Sequence, residues 1–434
     1  MQETAVSRVT SDELSERKLS KPYAILFLCF VATFICYLDR VSVSVAVLPM
    51  QKALGWTETV KGIVLAAFFI GYLVFQIPSG YLANRLGAGR VLGFAVAWWS
   101  LCTMLTPWAT TQSFPVLIAV RIAMGAGEAA MFPAAYALLA TMISPSERSR
   151  AVSAVLGGVP LGTLFALSVS GWVIATFDWQ TLFYASAVPG LAWSIVWYLT
   201  LRSSTRHRQT RSTQRSFHAN HVGVRDNSAP GSVPWKRILT QRAVWALVIN
   251  HFCSNWTLYM LMSWLPSYIE NVLGKPASVA GLFSAGPWLS MFVVANGCAW
   301  VADAFIKRRV KLLTVRKVAE VAGLLGSAGF LLLASSASTS AQTMALLCLA
   351  LGSLGLTWSG FLPNHLEIAP RYAGVLMSLT NTVATLPGII GVALTGWIVD
   401  VSGTYTMAFA IAAAINLFGS VIWIAFAKAE PVVV

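Results

Sequence analysis

The sequence predicts an all-α integral membrane protein with twelve transmembrane helices in two pseudo-symmetric six-helix bundles. Of the 434 residues, 57% are hydrophobic and only 11% are charged, whereas soluble domains average about 25% charged residues. Twelve apolar runs are divided by one long polar segment, and short sequences recur on both sides of it. These observations exclude a water-soluble globule and predict two related membrane domains.

Each apolar run is long enough to cross a bilayer, because a helix needs roughly 20 apolar residues to span the hydrocarbon. The runs are residues 22–48, 58–83, 91–110, 114–142, 149–175, 180–201, 242–269, 279–303, 316–336, 341–367, 372–400 and 404–427. Gly and Pro residues favour kinks in the runs 58–83 and 372–400. We therefore expect the following order: an N-terminal segment at 1–21, bundles at 22–201 and 242–427, a linker at 202–241 and a C-terminal segment at 428–434.

The distribution of basic residues predicts how the helices are oriented. Twenty-five of the thirty Lys and Arg residues lie on the side that carries both termini and the linker, and only Lys52, Lys61 and Lys275 lie on the other. Because cytoplasmic loops carry an excess of Lys and Arg, both termini are expected in the cytoplasm. The net charge of +14 has the same explanation, so no nucleic-acid partner is expected.

The segments outside the bundles carry few other signals. The linker has eight bases and one acid and no periodicity, which is typical of a flexible connection; contact with anionic lipid headgroups is the alternative. Residues 1–21 balance four acids with four bases and lack a small-residue cleavage pattern, so neither a signal peptide nor a transit peptide is expected. The sequence Ser170–Ile174 recurs as Thr395–Val399 at an offset of 225 residues, which supports two related halves.

Ionisable residues inside the apolar runs are the strongest functional signal. Asp39 and Arg40 adjoin in the first run, and Arg121 and Glu128 lie seven residues apart in the fourth, on nearly the same helix face. Charges at membrane depth usually face a protein interior or a watery cavity and mark a functional site. Structural ion pairing is the alternative, although buried pairs often fail to repay their desolvation. The intervening glycines permit either close helix packing or space for a ligand.

Other polar residues in the runs allow two interpretations each. Tyr72 and Asn381 could hydrogen-bond a substrate or, equally, a neighbouring helix. His251 and His365 are interpreted as structural residues, with a proton relay as the alternative for His365.

No nucleophile and base in register and no His and Asp ligand set appear in the sequence, so we expect no enzyme, no cofactor and no metal site. A channel would use rings of like charge. Charged pairs of mixed sign in one half favour a carrier that opens alternately to the two sides of the membrane.

Several motifs together resemble those of a known transporter family. The loop Gly80–Arg90 is similar to the signature loop of the major facilitator superfamily, although Asn84 stands where that family usually has an acid. The further matches are Leu38-Asp39-Arg40-Val41, Gln76-Ile77-Pro78-x-Gly80, Arg121 with Glu128, Glu147-Arg148-Ser149-Arg150-Ala151, and Asn364-His365 with Ala369-Pro370-Arg371-Tyr372-Ala373-Gly374. Together they resemble the anion:cation symporter family. The resemblance implies the major facilitator fold and transport of an anion, usually a carboxylate or phosphate.

The resemblance also implies roles for the membrane-embedded charges. Arg40 and Arg121 match the family's anion-binding arginines, and Asp39 and Glu128 match the acids of its proton-coupled members. The planar guanidinium suits a carboxylate or phosphate. A carboxyl group in a low-dielectric cavity can exist in its neutral form and so can load and release a proton. Ser254 stands where vesicular glutamate transporters have an arginine, which disfavours that subfamily.

We therefore predict proton-coupled symport of an organic anion, a sugar acid or other carboxylate, by alternating access. The alternatives are transport of inorganic phosphate or another anion coupled to sodium or to the membrane potential, and an anion channel. The expected partners are a small anionic substrate, protons and the lipid bilayer. We expect a monomer that crosses the cell membrane many times.

Overall fold

The computed structural model describes residues 3–142, 151, 154–215, 234–370 and 372–432. The described residues form fifteen helices and contain no β-strand. The motif residues Glu147–Arg150 and Arg371 lie outside them, as does the middle of the predicted linker. The predicted all-α membrane fold is confirmed.

The helices follow one another with short connections, as expected for antiparallel neighbours in a bundle. Those of the N-terminal half are α1 (Glu3–Leu54), α2 (Glu58–Leu86), α3 (Ala88–Gln112), α4 (Phe114–Glu128), α5 (Met131–Met142), α6 (Gly158–Thr176) and α7 (Trp179–Arg215). Those of the C-terminal half are α8 (Trp235–Thr240), α9 (Arg242–Asn271), α10 (Ala277–Lys307), α11 (Leu312–Ser335), α12 (Ser340–Ile368), α13 (Ala373–Val383), α14 (Leu386–Ser402) and α15 (Thr406–Phe426).

Local capping contacts define several helix ends. The Thr57 side chain accepts a hydrogen bond from the Val60 N–H at the start of α2. Before α7, the hydroxyl and the main-chain N–H of Thr181 hold the pKa of Asp178 below its usual value. Gly403 follows the last residue of α14 and caps the helix; its φ of 68° is a left-handed conformation that glycine adopts without strain.

Eleven helical segments of the described chain are long and apolar enough to cross a membrane. The remaining predicted run, 242–269, forms α9. This helix spans 30 residues but is less hydrophobic, because it contains buried polar residues such as Asn250, Ser254 and Asn255. These side chains face protein and not lipid, so the helix needs no uniformly apolar surface. Two predicted runs are interrupted in the structure. The run 114–142 breaks after Glu128, and the run 372–400, in which a kink is predicted, breaks at Ala384. The run 58–83 forms part of the single helix α2.

The two halves touch most extensively through two pairs of helices, α2 with α14 and α6 with α10, and α1 also contacts α9 and α10. Glycine permits this close approach: a Cβ atom on Gly171 would overlap the Ser278 carbonyl oxygen, and one on Gly396 would overlap the Glu58 carbonyl oxygen.

Polar contacts between the halves gather at the far face, which we define as the bundle face opposite the linker, where α1, α9 and α14 end and α2 begins. Lys52 Nζ lies 2.6 Å from Glu270 Oε1. The Asp400 carboxylate accepts hydrogen bonds from the main-chain N–H groups of Glu58 and Thr59, at 2.8 and 2.6 Å. An acid of one half thus caps a helix N-terminus of the other, and the far face is closed.

Candidate functional site

Arg40 and Glu128 form a buried ion pair in the N-terminal half. Arg40 lies in α1 and Glu128 is the last residue of α4, 88 positions later. The Glu128 Oε2 atom accepts hydrogen bonds from Arg40 Nε at 3.0 Å and Arg40 Nη2 at 2.7 Å, and Cys36 Sγ lies 3.1 Å away. The other oxygen, Oε1, has no hydrogen-bond partner. The pair therefore leaves one carboxylate oxygen able to take a proton.

Aromatic rings surround the Arg40 guanidinium. Its carbon lies 4.8 Å from the ring centroids of Tyr37 and Phe68 and 4.9 Å from that of Tyr72. These ring faces attract the cation. The structure places the predicted residue Tyr72 in contact with the predicted Arg40.

Asp39 has a different environment from its neighbour Arg40. Successive residues on a helix point about 100° apart, so the two side chains need not meet. Asp39 is fully buried, and neither of its carboxylate oxygens has a hydrogen-bond partner. The Trp99 indole lies beside it.

Arg121 is a buried cation without an acidic partner. Its Nη1 atom lies 3.2 Å from the Met124 sulfur and its Nε atom 3.5 Å from the Val64 carbonyl oxygen. Among the described residues, no carboxylate lies within ion-pair distance of it. The close contact of α2 with α4 has a clear cause, since a Cβ atom on Gly125 would overlap the Phe68 carbonyl oxygen.

A small cavity between the halves is lined by both arginines and has room for about one water molecule. Its lining comes from α1, α2 and α4 of the N-terminal half and α9 of the C-terminal half: Arg40, Val43, Ser44, Leu65, Phe68, Phe69, Arg121, Met262 and Ser263. Two guanidinium groups and two hydroxyls suit an anion. Asn381 lies half-buried in α13, and the described contacts do not join it to this cavity.

Three polar features were not predicted as functional from the sequence. Lys61, which belongs to the predicted run 58–83, lies in the first turn of α2, where it is fully buried and pairs with Glu58. His251 and His365 meet through one threonine hydroxyl. Glu320 is fully buried in α11, and both its oxygens lack hydrogen-bond partners. Their only sequence signal is an ionisable residue within or beside an apolar run.

Comparison with known proteins identifies the family of the chain. The family model described as Major Facilitator Superfamily matches residues 29–392. The chain is 38% identical over 416 residues to the chloroplastic sodium-dependent phosphate transport protein 1 of Arabidopsis thaliana, covering 95% of this chain and 80% of that protein. It is 38% identical over 418 residues to the chloroplastic ascorbate transporter of Arabidopsis thaliana, with coverage of 96% and 76%.

A more distant relative is sialin of Ovis aries, which is 32% identical over 445 residues, with coverage of 95% of this chain and 90% of sialin. Among solved structures, a D-xylose-proton symporter matches with a TM-score of 0.71 and 14% identity, over 94% of this chain and 98% of that chain. At this identity the match shows a shared fold.

Proposed function

The chain belongs to the major facilitator superfamily and, within it, to the anion:cation symporter family, and from this premise we propose that it carries an organic anion together with protons. The relatives are named as transporters of phosphate and of ascorbate, which supports secondary transport of an anion and a role other than catalysis. A sugar acid or another carboxylate is the proposed substrate class.

The observation that carries this proposal is the Arg121 side chain, a buried cation with no acidic partner among the described residues. Burying an unpaired charge is costly, so a site of this kind is completed by an anion. Arg40 lines the same cavity. A carboxylate bound there can engage both guanidinium groups, with Ser44 and Ser263 as hydrogen-bond donors.

The two acids supply the proposed coupling to protons. While Glu128 is ionised it neutralises Arg40, and an incoming anion must compete with it. A proton on Glu128 would release Arg40 to the substrate, and a proton on Asp39 would remove a second negative charge from the neighbourhood. Proton and anion then bind best together, which is the requirement for symport.

The closed far face supports alternating access as the transport mechanism. The Lys52–Glu270 and Asp400 contacts join the two halves at one face of the membrane, beyond the cavity. Two related bundles that rock about a central site must break such contacts to open that face.

Uptake into proteoliposomes tests the proposal. Wild-type protein should accumulate a labelled sugar acid or ascorbate when the pH gradient favours proton entry. Glu128→Gln should retain counterflow at symmetric pH but lose this accumulation, and Asp39→Asn should do the same or impair transport more broadly. Glu430→Gln, on the exposed C-terminal segment, is the matched control and should behave as wild type. Accumulation by Glu128→Gln in response to pH would refute the coupling role.

Sodium-coupled transport of inorganic phosphate is the second candidate, and the name of one relative favours it. The same vesicles distinguish the two candidates when they are given labelled phosphate and a sodium gradient without a pH gradient. An anion channel would show no counterflow.

We also propose that the chain lies in the cell membrane as a monomer. Both termini lie in the cytoplasm in this proposal, as the distribution of basic residues predicts. Reporters fused near His221 and at the C-terminus should both report a cytoplasmic position. A reporter on the opposite side would refute this orientation.

A further inference from the structure

A second buried polar network lies in the C-terminal half. His251 of α9 and His365 of α12 both contact the hydroxyl of Thr380 in α13. The His251 Nδ1 atom lies 3.1 Å from Thr380 Oγ1, and the His365 Nε2 atom lies 2.8 Å from it. All three side chains are buried. One hydroxyl thus joins two imidazoles from different helices.

The neighbouring carbonyl groups determine where the hydrogen atoms lie. His365 Nδ1 faces the carbonyl oxygens of Phe361 and Leu362 at 3.2 and 3.0 Å, so this nitrogen must carry a hydrogen. In neutral His365, Nε2 is then an acceptor and receives the Thr380 hydroxyl hydrogen. The Thr380 oxygen can in turn accept the N–H of His251 Nδ1.

The same network can accept one additional proton without losing a contact. The Thr380 hydroxyl has a second acceptor, the Met377 carbonyl oxygen at 3.1 Å. When His365 gains a proton at Nε2, that N–H donates to Thr380 Oγ1 and the hydroxyl turns to Met377. Rotation of one hydroxyl therefore connects the neutral and the charged forms, and Thr380 keeps a hydrogen bond to each histidine in both.

Few charged groups face the network. Glu320 of α11 packs against Gly360, next to Phe361, whose ring centroid lies 4.8 Å from that of His251. Arg316 of α11 is paired with Glu367 of α12 at 2.7 Å and so is neutralised. Helix α13 has no charged residue, and α9 has charges only at its ends, Arg242 and Glu270. Glu320 is the one unpaired acid near the network, and it is itself buried without a hydrogen-bond partner. The hydrogen bonds of the cationic form, and not a neighbouring negative charge, would therefore hold the proton.

We propose that His251, Thr380 and His365 form a second proton-binding site, which holds one proton on His365 and is separate from Asp39 and Glu128. The ring centroids of the two histidines are 6.2 Å apart, so two positive charges would repel and a single proton is expected. The use of this proton in transport rests on the proton coupling proposed above. The existence of the proton-binding site does not depend on that coupling, because the protein can bind the proton without substrate.

Nitrogen NMR of the imidazoles tests the proposal on the full chain in lipid nanodiscs. His207, His218 and His221 are replaced by Gln, which leaves two histidines in the protein. Near pH 8 the spectrum should show His365 with its hydrogen on Nδ1. On acidification to about pH 4.5, one imidazole should become cationic and the other should stay neutral. If both stay neutral, or if both become cationic together, the proposal is wrong.

Thr380→Val removes the hydroxyl at nearly constant shape and tests the network itself. Charged hydrogen bonds are about twice as strong as neutral ones, so the cationic form loses more than the neutral form. We expect His365 to bind its proton about tenfold more weakly, a shift of about one pH unit to lower pH. Thr382→Val, whose hydroxyl bonds Ser378 in the same helix, is the control and should not shift it. An unchanged titration in Thr380→Val would overturn the proposal.

The two proposals fail separately. Glu128→Gln and Asp39→Asn should leave the histidine titration unchanged, since it needs no transported anion. Loss of pH-driven uptake in Glu128→Gln with an intact titration would support both sites. A chain that titrates but never accumulates an anion in response to pH would retain the histidine site and refute proton symport.

Discussion

Removal of one partner of the Arg40–Glu128 pair should strongly destabilise the transporter. Two hydrogen bonds from the guanidinium reach one carboxylate oxygen, at 3.0 and 2.7 Å, in a site closed to solvent. Removing one partner of such a pair leaves an uncompensated buried charge and costs roughly 3–5 kcal/mol. We therefore expect Glu128→Gln and Arg40→Gln each to lower the free energy of unfolding by about this amount.

The double variant Arg40→Gln/Glu128→Gln should cost much less than the sum of the single variants, because it leaves no charge unpaired. Unfolding in detergent by dodecyl sulfate, followed by tryptophan fluorescence, measures all three. Glu270→Gln is the internal control, since its partner Lys52 is 70% exposed and the pair should be worth under about 1 kcal/mol. Additive losses, or a loss in Glu128→Gln no larger than in Glu270→Gln, would refute the reasoning.

Three further predictions concern packing, the far face and recognition. Gly125→Ala should destabilise the protein by roughly 1–3 kcal/mol, since its methyl group would overlap backbone, whereas Gly297→Ala has open space and should be nearly neutral in the same unfolding assay. Asp400→Ala removes a contact between the halves, so the far face should open more often. In a cysteine-free background that carries Ser263→Cys in the cavity, an impermeant thiol reagent added on that side should then label the cysteine faster than when Asp400 is present. Arg121→Lys keeps the charge but loses the planar fork, so carboxylate binding should weaken by about 1–3 kcal/mol in a thermal-shift titration, and unchanged affinity would exclude a role in recognition.

The membrane fold follows from local composition, because lipid requires an apolar surface and every helix satisfies its own backbone. That is why run lengths could predict the helices without knowledge of their neighbours. Helix α9 shows the limit of hydropathy alone. Its buried polar residues face protein and lower its mean hydropathy, although it belongs to the bundle.

The sequence could also place charges on a helix face, since seven residues complete nearly two turns. It could not assign their partners. Asp39 adjoins Arg40, yet the ion pair of Arg40 is with Glu128, 88 positions away. Partner choice depends on which helices pack together, and Gly125 permits the close approach of α2 to α4, the helix that carries Glu128.

By itself, then, the sequence determined the membrane class, the ionisable residues and the family resemblance. The tertiary structure decided which charges are neutralised and which are not. It leaves Arg121 without an acid, buries Lys61 at the far face, and brings His251 and His365 to one hydroxyl across 114 positions of sequence. The physical reason is that electrostatic interactions and hydrogen bonds act over a few ångströms, and the distances between remote residues are set only when the helices pack.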